Sequence, residues 1–465
     1  MATERPAPGR TEAGAPRPPA GGRSGSPGTA AGSPGRTAAD ARAGGFGGAG
    51  PDAPLKPLLL QRNFGSLWAG QLISILGERL TYLALLGLLA EDTHHFLAAR
   101  SSLLLSLLAN VMLAPVLLFS PFTGAWLDRW NLRRVLVISD FLRSLLVMLI
   151  PVLYAVTHHT APMFAIVFAM FTCNVLFLPA KSAITPDLVP GPQLLAANAL
   201  LAAAGIIATA LGALGGGWLV DHWGWGVALY INGGTYLVSV AALLMIRYHP
   251  AAHAPRAHAL SMRGYIREVR EGWSVVRRNP TVELALIALA AVWIGGGFLH
   301  VAGNQHVQRV ASAPGMERVG VLLCVLGLGS GLGTWWVNAR GRLLPSGPLL
   351  GLGLVVVAGA LTVFALSTRF AVFAMSAFVV GAAAAPSFML CETLLQEGTE
   401  PHQRGRVFSA RDFLMRLAFL VGVTAAGAVA RGFGIQAALL LCAACVAAIG
   451  ILALVRGGRG VRVRS

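Results

Sequence analysis

From residue 64 onward this chain is one apolar run after another, joined by short polar segments. Each run is near the ~20 residues an α-helix needs to cross ~30 Å of hydrocarbon. Lipid offers no partner to a backbone N–H or C=O, so runs of this kind can cross only as helices that satisfy those groups internally. The runs fall at 64–90, 101–127, 132–157, 162–182, 195–220 and 225–247, then at 281–303, 318–339, 347–367, 370–394, 407–430 and 434–455. The predicted fold class is an all-α integral membrane protein with twelve transmembrane helices in two six-helix bundles. Composition agrees: 55% of residues are hydrophobic and 12% charged, against roughly a quarter charged in soluble domains.

A net charge of +17 would suggest nucleic acid in a soluble chain. Here the basic residues sit in the joints between apolar runs, where cytoplasmic loops of membrane proteins collect them, and nucleic acid is not expected as a partner. One set of joints carries Arg129, Arg133, Arg134, Lys181, Arg340, Arg342, Arg404 and Arg406, and the alternate set carries Arg100, Arg309, Arg318, Arg369 and Arg431. Adding the arginines of 248–280 to the first set makes the asymmetry clear, and it predicts an N-in, C-in topology. Only Lys56 and Lys181 are lysines, a bias that suggests a GC-rich bacterial gene.

The predicted organisation is a disordered cytoplasmic tail at 1–60, a first bundle at 61–248, a cytoplasmic connection at 249–280, a second bundle at 281–456 and a basic tail at 457–465. Pro, Gly, Ala, Ser and Arg dominate residues 1–52, which leaves too little apolar surface to offset the entropy of ordering. In the connection, Tyr265, Val269, Trp273 and Val276 recur at helical spacing. They predict an amphipathic helix on the inner membrane surface, or else a plain linker. An internal repeat supports two bundles: GAWLDRWNLRR from Gly124 and GTWWVNARGR from Gly333 occupy equivalent joints, and Pro179 and Pro386 equivalent spans.

The stretch GAWLDRWNLRRVLVISDFLR resembles the loop motif G-x-L-a-D-R-x-G-R-R of the major facilitator superfamily, with Gly124, Asp128, Arg129 and Arg133 at matching positions. RNFGSLWAGQLISILGERL, AITPDLVPGPQLLAANALLAAAG and PHQRGRVFSARDF resemble the drug- and siderophore-exporting branch, which includes macrolide efflux proteins and the enterobactin exporter. Trp126 and Asn131 depart from the loop motif; Asn is the replacement that best tolerates a left-handed turn. GALGGG, from Gly212 to Gly217, resembles the antiporter Gly-Pro-x-x-Gly-Gly pattern, with Ala213 where proline is expected.

The resemblance implies that Asp128, Arg129, Arg133 and Arg134 form a gating latch, with Arg411 the candidate partner from the other half. Lipid-phosphate anchoring is the alternative for the arginines. It also implies a small-molecule substrate, no cofactor, a proton gradient as energy source, and residence as a monomer in the bacterial inner membrane. Charge inside a span is costly. Glu78 is therefore the candidate proton carrier, provided Arg79 points elsewhere. Asp140 with Arg143, and Asp412 with Arg416, have the spacing of intrahelical pairs, structural or functional. The spans the resemblance assigns to the cavity offer Phe168, Phe171, Asn174, Trp293 and Phe388, which line it or merely pack.

No P-loop and no HExxH motif occurs, so neither an ATP-driven pump nor a zinc enzyme is expected. The rivals are a lysophospholipid flippase or importer of the same fold, and a transport-inactive receptor or scaffold. The five cysteines lie in apolar runs and read as packing residues.

Overall fold

The computed structural model describes residues 55–94, 100–127, 129–248, 262–310, 315–340, 346–400 and 403–457. The expected disorder of 1–52, the expected basic tail beyond 457 and the latch residue Asp128 lie outside them. Among the described residues fourteen α-helices run in chain order: α1 Leu55–Leu60, α2 Arg62–Asp92, α3 Ser101–Leu127, α4 Leu132–Thr157, α5 Ala161–Leu188, α6 Leu194–Leu244, α7 Met262–Val276, α8 Pro280–Phe298, α9 Asn304–Val310, α10 Met316–Arg340, α11 Ser346–Leu366, α12 Phe370–Glu397, α13 Arg404–Phe433 and α14 Ile435–Gly457. Among the described residues, 11 helical segments are long and apolar enough to cross a membrane.

The longest segment is two rods. In α6 Gly224 adopts φ 85° and ψ 159°, a backbone that L side chains rarely take. Contacts with α2 show what the break does. Before it, Leu200 O accepts from Trp68 and Gly212 lies against Leu76; after it, Asn232 bonds Thr81 and Ser239 lies against Gly70. Along α6 the partners climb α2 and then descend, so the chain reverses at Gly224.

Other ends are set locally. Asn131 caps α4, its Oδ1 accepting from Arg134 N at 3.2 Å. Its backbone is extended (φ −68°, ψ 114°) rather than left-handed, so here asparagine serves as a helix cap and not as a tolerant turn residue. His158 takes the left-handed conformation that stops α4.

Three expectations change. Residues 55–60, placed in the tail, are helical, because Leu58 is buried against the cluster that holds Phe64 and Leu67. The seventh run continues past 303 through a π-helical turn, Leu299–Gly303, into α9, so Arg309 belongs to a helix and not to a loop. Lys181 likewise lies within α5.

α2 to α6 form one bundle and α8 to α14 the other; α3 against α13, and α6 against α10, form the seam between them. Lipid gives helices no hydrophobic reason to associate, so close approach rests on small residues. Gly217 shows this: a Cβ there would stand 2.4 Å from Met316 O. Trp126 and Trp130 stack near one end of the bundles, and Trp218 meets Trp223 near the other, as aromatic residues do at the two lipid–water boundaries. The end that carries Arg133 and Arg404 is called the basic end below.

Between the bundles at the basic end, α7 packs on α13. Gly272 abuts Arg406 O, Val276 is buried, and Glu271 Oε2 meets Arg406 Nε at 3.3 Å. Trp273 and Val276 thus face protein, while Arg267 and Arg270 are exposed. The side chain of Tyr265 lies outside the description.

Candidate functional site

Four helices of the first bundle meet around one guanidinium. Arg143, on α4, is 2% exposed. It donates from Nη1 to Glu78 Oε1 of α2 at 2.7 Å and to Asn174 Oδ1 of α5 at 3.4 Å, and from Nη2 to Asp140. Asp140 also accepts from Ser239 Oγ of α6 at 2.6 Å. The guanidinium plane is held against Phe177 and Tyr236, with ring centroids 4.5 and 4.7 Å from its central carbon. Two carboxylates therefore share one cation, and an ionised group in a bilayer is tolerated only with such partners.

The two carboxylates differ in access. Asp140 is 0% exposed, whereas the Glu78 side chain is 32% exposed and lines a small cavity with Arg143, Asn174, Phe171 and Tyr82. Arg79 lies on another side of α2, against Gly212 of α6. Glu78 is thus the member of the cluster that solvent or a substrate can reach.

Tyr82 connects this cavity to the second bundle. Its hydroxyl lies 3.2 Å from His300 Nδ1 and accepts from Asn304 Nδ2 at 3.2 Å. Further along the same side, Gln305 donates to Ser101 Oγ at 2.7 Å and accepts from Ser102 Oγ at 2.9 Å. Ser106 Oγ donates to Val423 O at 3.0 Å and Asn110 to Thr424 at 3.2 Å. At the far tip, Asp221 at the end of the first rod of α6 accepts from Met316 N and Glu317 N, both at 2.7 Å, and so caps α10 from the opposite bundle. Among the described residues, the polar contacts across the seam thus concentrate away from the basic end; Arg416 Nη1 to Val116 O, at 3.4 Å, lies nearest the middle.

Asp128 of the expected latch lies outside the described residues, and the latch's described arginines make contacts within their own bundles or none. Arg133 donates to Leu243 O at 3.1 Å and to Leu244 O at 2.5 Å, capping the end of α6 within its own bundle. Arg134 gives its backbone N–H to Asn131, Arg129 is exposed, and Gly124 lies in the last turns of α3. Arg411 binds Glu392 of α12 and its own neighbour Asp412, at 2.6 Å from Nη2, and stacks on Phe408. Asp412 and Arg416 consequently do not pair: Arg411 takes the first, and the second reaches across to α3. Replacing Arg133 with alanine is expected to remove about 1 kcal/mol of stability, because two terminal carbonyls lose a charged donor. An unfolding free energy indistinguishable from wild type would contradict that assignment.

Of the expected cavity side chains, Phe171 and Asn174 face the Glu78 cavity. Phe168 packs edge-on to Phe119, Trp293 stands edge-on to Phe419, and Phe388 packs on the core. Sequence reasoning passed over Tyr82, Tyr236, Ser239, His300, Asp221 and Glu392. Glu392 alone carried a local signal, as a carboxylate within an apolar run.

A family model described as Major Facilitator Superfamily matches residues 67–348. The chain belongs to that superfamily. It is 26% identical over 412 residues to the uncharacterized MFS-type transporter YfiS of Bacillus subtilis (strain 168), covering 86% of this chain and 94% of that protein. It is 22% identical to macrolide efflux protein A of Streptococcus pyogenes, covering 84% and 94%, and 23% identical to the multidrug efflux pump Tap of Mycolicibacterium fortuitum, covering 76% and 87%.

Among solved structures, a bacterial homolog of the human lysosomal transporter Spinster, inward-facing and occupied, shares the fold with a TM-score of 0.64 at 15% identity, over 84% of this chain and 94% of that one. The nucleoside transporter NupG does so with a TM-score of 0.62 at 13% identity, over 86% and 99%. This major facilitator protein is accordingly a multi-pass transporter of the bacterial cell membrane, not an enzyme.

Proposed function

We propose that this transporter is a proton-coupled exporter of amphipathic small molecules, working by alternating access with twelve crossings and both termini inside. The observation that carries the reading is the placement of Glu78. It is an intramembrane carboxylate, held by Arg143 yet open to a cavity, and one residue (Tyr82) separates it from the seam. Protonating Glu78 would free the Arg143 guanidinium to bind Asp140 and Asn174 alone. A change of charge beside the seam can bias which end of the bundles is open. Contacts that, among the described residues, gather away from the basic end support an inward-open arrangement, with the basic end in the cytoplasm. The efflux names of its relatives favour export over import.

Everted vesicles with an imposed pH gradient test this directly, supplied in turn with a lipophilic dye, a siderophore and a lysophospholipid. Wild type is expected to accumulate dye or siderophore, and Glu78→Gln to lose at least ten-fold of the gradient-driven rate at unchanged protein level. Gradient-independent transport that Glu78→Gln leaves intact would sink the proton role. Lysophospholipid movement alone would assign a flippase, and no movement of any substrate a receptor or scaffold.

A further inference from the structure

We infer that the second bundle contains a ligand pocket of its own, suited to a neutral, mostly apolar compound with one hydrogen-bonding group. The inference rests on the transporter reading above and names the substrate class.

A cavity of about 230 Å³ opens beside the π-helical turn Leu299–Gly303, walled by α10, α11 and α12. A second, of about 170 Å³, adjoins it and shares Gly296, Leu299, Leu326, Leu361 and Val380 as walls. Protein interiors are close-packed, and voids much larger than a water molecule are few. Two adjoining spaces of this size, lined almost wholly by aliphatic side chains, have the character of a small-molecule site. No Asp, Glu, Lys or Arg lines either cavity, so a charged ligand would enter without a counter-ion and at a high desolvation cost.

The polar groups are few. Tyr82, His300 and Asn304 are bonded to one another, Ser376 is the other polar side chain of the first cavity, and Ser330 of the second donates to Leu326 O. The π turn helps to place them: Asn304 Nδ2 returns to His300 O at 2.5 Å, and such turns occur often at functional sites. Tyr82 also lines the Glu78 cavity. A ligand that displaces Tyr82 from His300 therefore disturbs the wall of the charge cluster, which joins substrate occupancy to the proposed proton site.

Photolabelling of the full chain in lipid nanodiscs tests the pocket with three probes of one shape: 4-(hydroxymethyl)benzophenone, 4-methylbenzophenone and 4-benzoylbenzoate. The alcohol is expected to leave adducts on peptides of α8 to α12 that carry the named wall residues, and the carboxylate at least ten-fold fewer. Val380→Phe and Ala377→Leu both fill the cavity. Each should cut labelling by the alcohol at least ten-fold in protein that elutes as a single species. His300→Leu should weaken labelling by the alcohol and not by the methyl compound.

Equal labelling by all three probes, adducts confined to lipid-facing positions, or indifference to both filling variants would overturn the pocket. The transporter reading fails separately. Labelling as expected in a protein that moves no substrate would leave the pocket standing alone. Vigorous transport without pocket adducts would refute the pocket only.

Discussion

Replacing Arg143 with leucine is expected to cost about 3–5 kcal/mol of stability and to abolish transport, because it leaves the buried Asp140, and Glu78 beside it, without their shared cation. Asp140 is wholly inaccessible, and Ser239 is its other partner. The single variant should give little folded protein, or an unfolding midpoint many degrees lower. The double variant Asp140→Asn, Arg143→Leu removes both charges of the tightest pair and should recover much of the stability while remaining inactive. Such recovery would identify an electrostatic cost and not a loss of packing against Phe177 and Tyr236. A single variant within 1 kcal/mol of wild type would show that the three charges do not depend on one another as described.

Asp221→Ala is the second large effect, and it acts on conformation more than on folding. Removing a carboxylate that caps a helix costs about 0.5–2 kcal/mol. Here the capped helix and the cap belong to different bundles, so the loss falls on the joined arrangement alone. One or two kcal/mol changes a two-state ratio about 5- to 30-fold. Spin labels at positions 223 and 318 should report a growing population of longer distances in Asp221→Ala. Asp221→Asn, which can still accept from a backbone N–H, should fall between the two. Superimposable distance distributions for wild type and the alanine variant would show that this cap does not help hold the two bundles together.

Much of this was legible in the sequence, for a physical reason. Helices in lipid must satisfy their own backbone, so length and apolarity locate them almost unaided; the runs at 101–127 and 132–157 match α3 and α4. The errors lie where polar residues inside the bilayer are satisfied from afar. Residues 305 to 308 lay beyond the run that ended at 303, yet Gln305 is buried because Ser101 and Ser102 receive it from the other bundle. The same holds for the site. Asp140 and Arg143 were paired by spacing, whereas Glu78 reaches that arginine from 65 positions away. Asp412 and Arg416 had the right spacing too, but the adjacent Arg411 was nearer to the carboxylate. Local periodicity proposes partners, and only the packed helices choose among them.

The reversal at Gly224 has a mechanical consequence. A single residue, with no loop, leaves no slack between the two rods of α6, so neither can slide along the membrane normal without dragging the other. The rising rod ends in Asp221, which grips the far bundle; the falling rod supplies Tyr236 and Ser239, which cradle the charges. Opening the grip and re-seating the cradle are therefore two ends of one lever stroke, and a flexible insertion at Gly224 would let each move while the other stayed still.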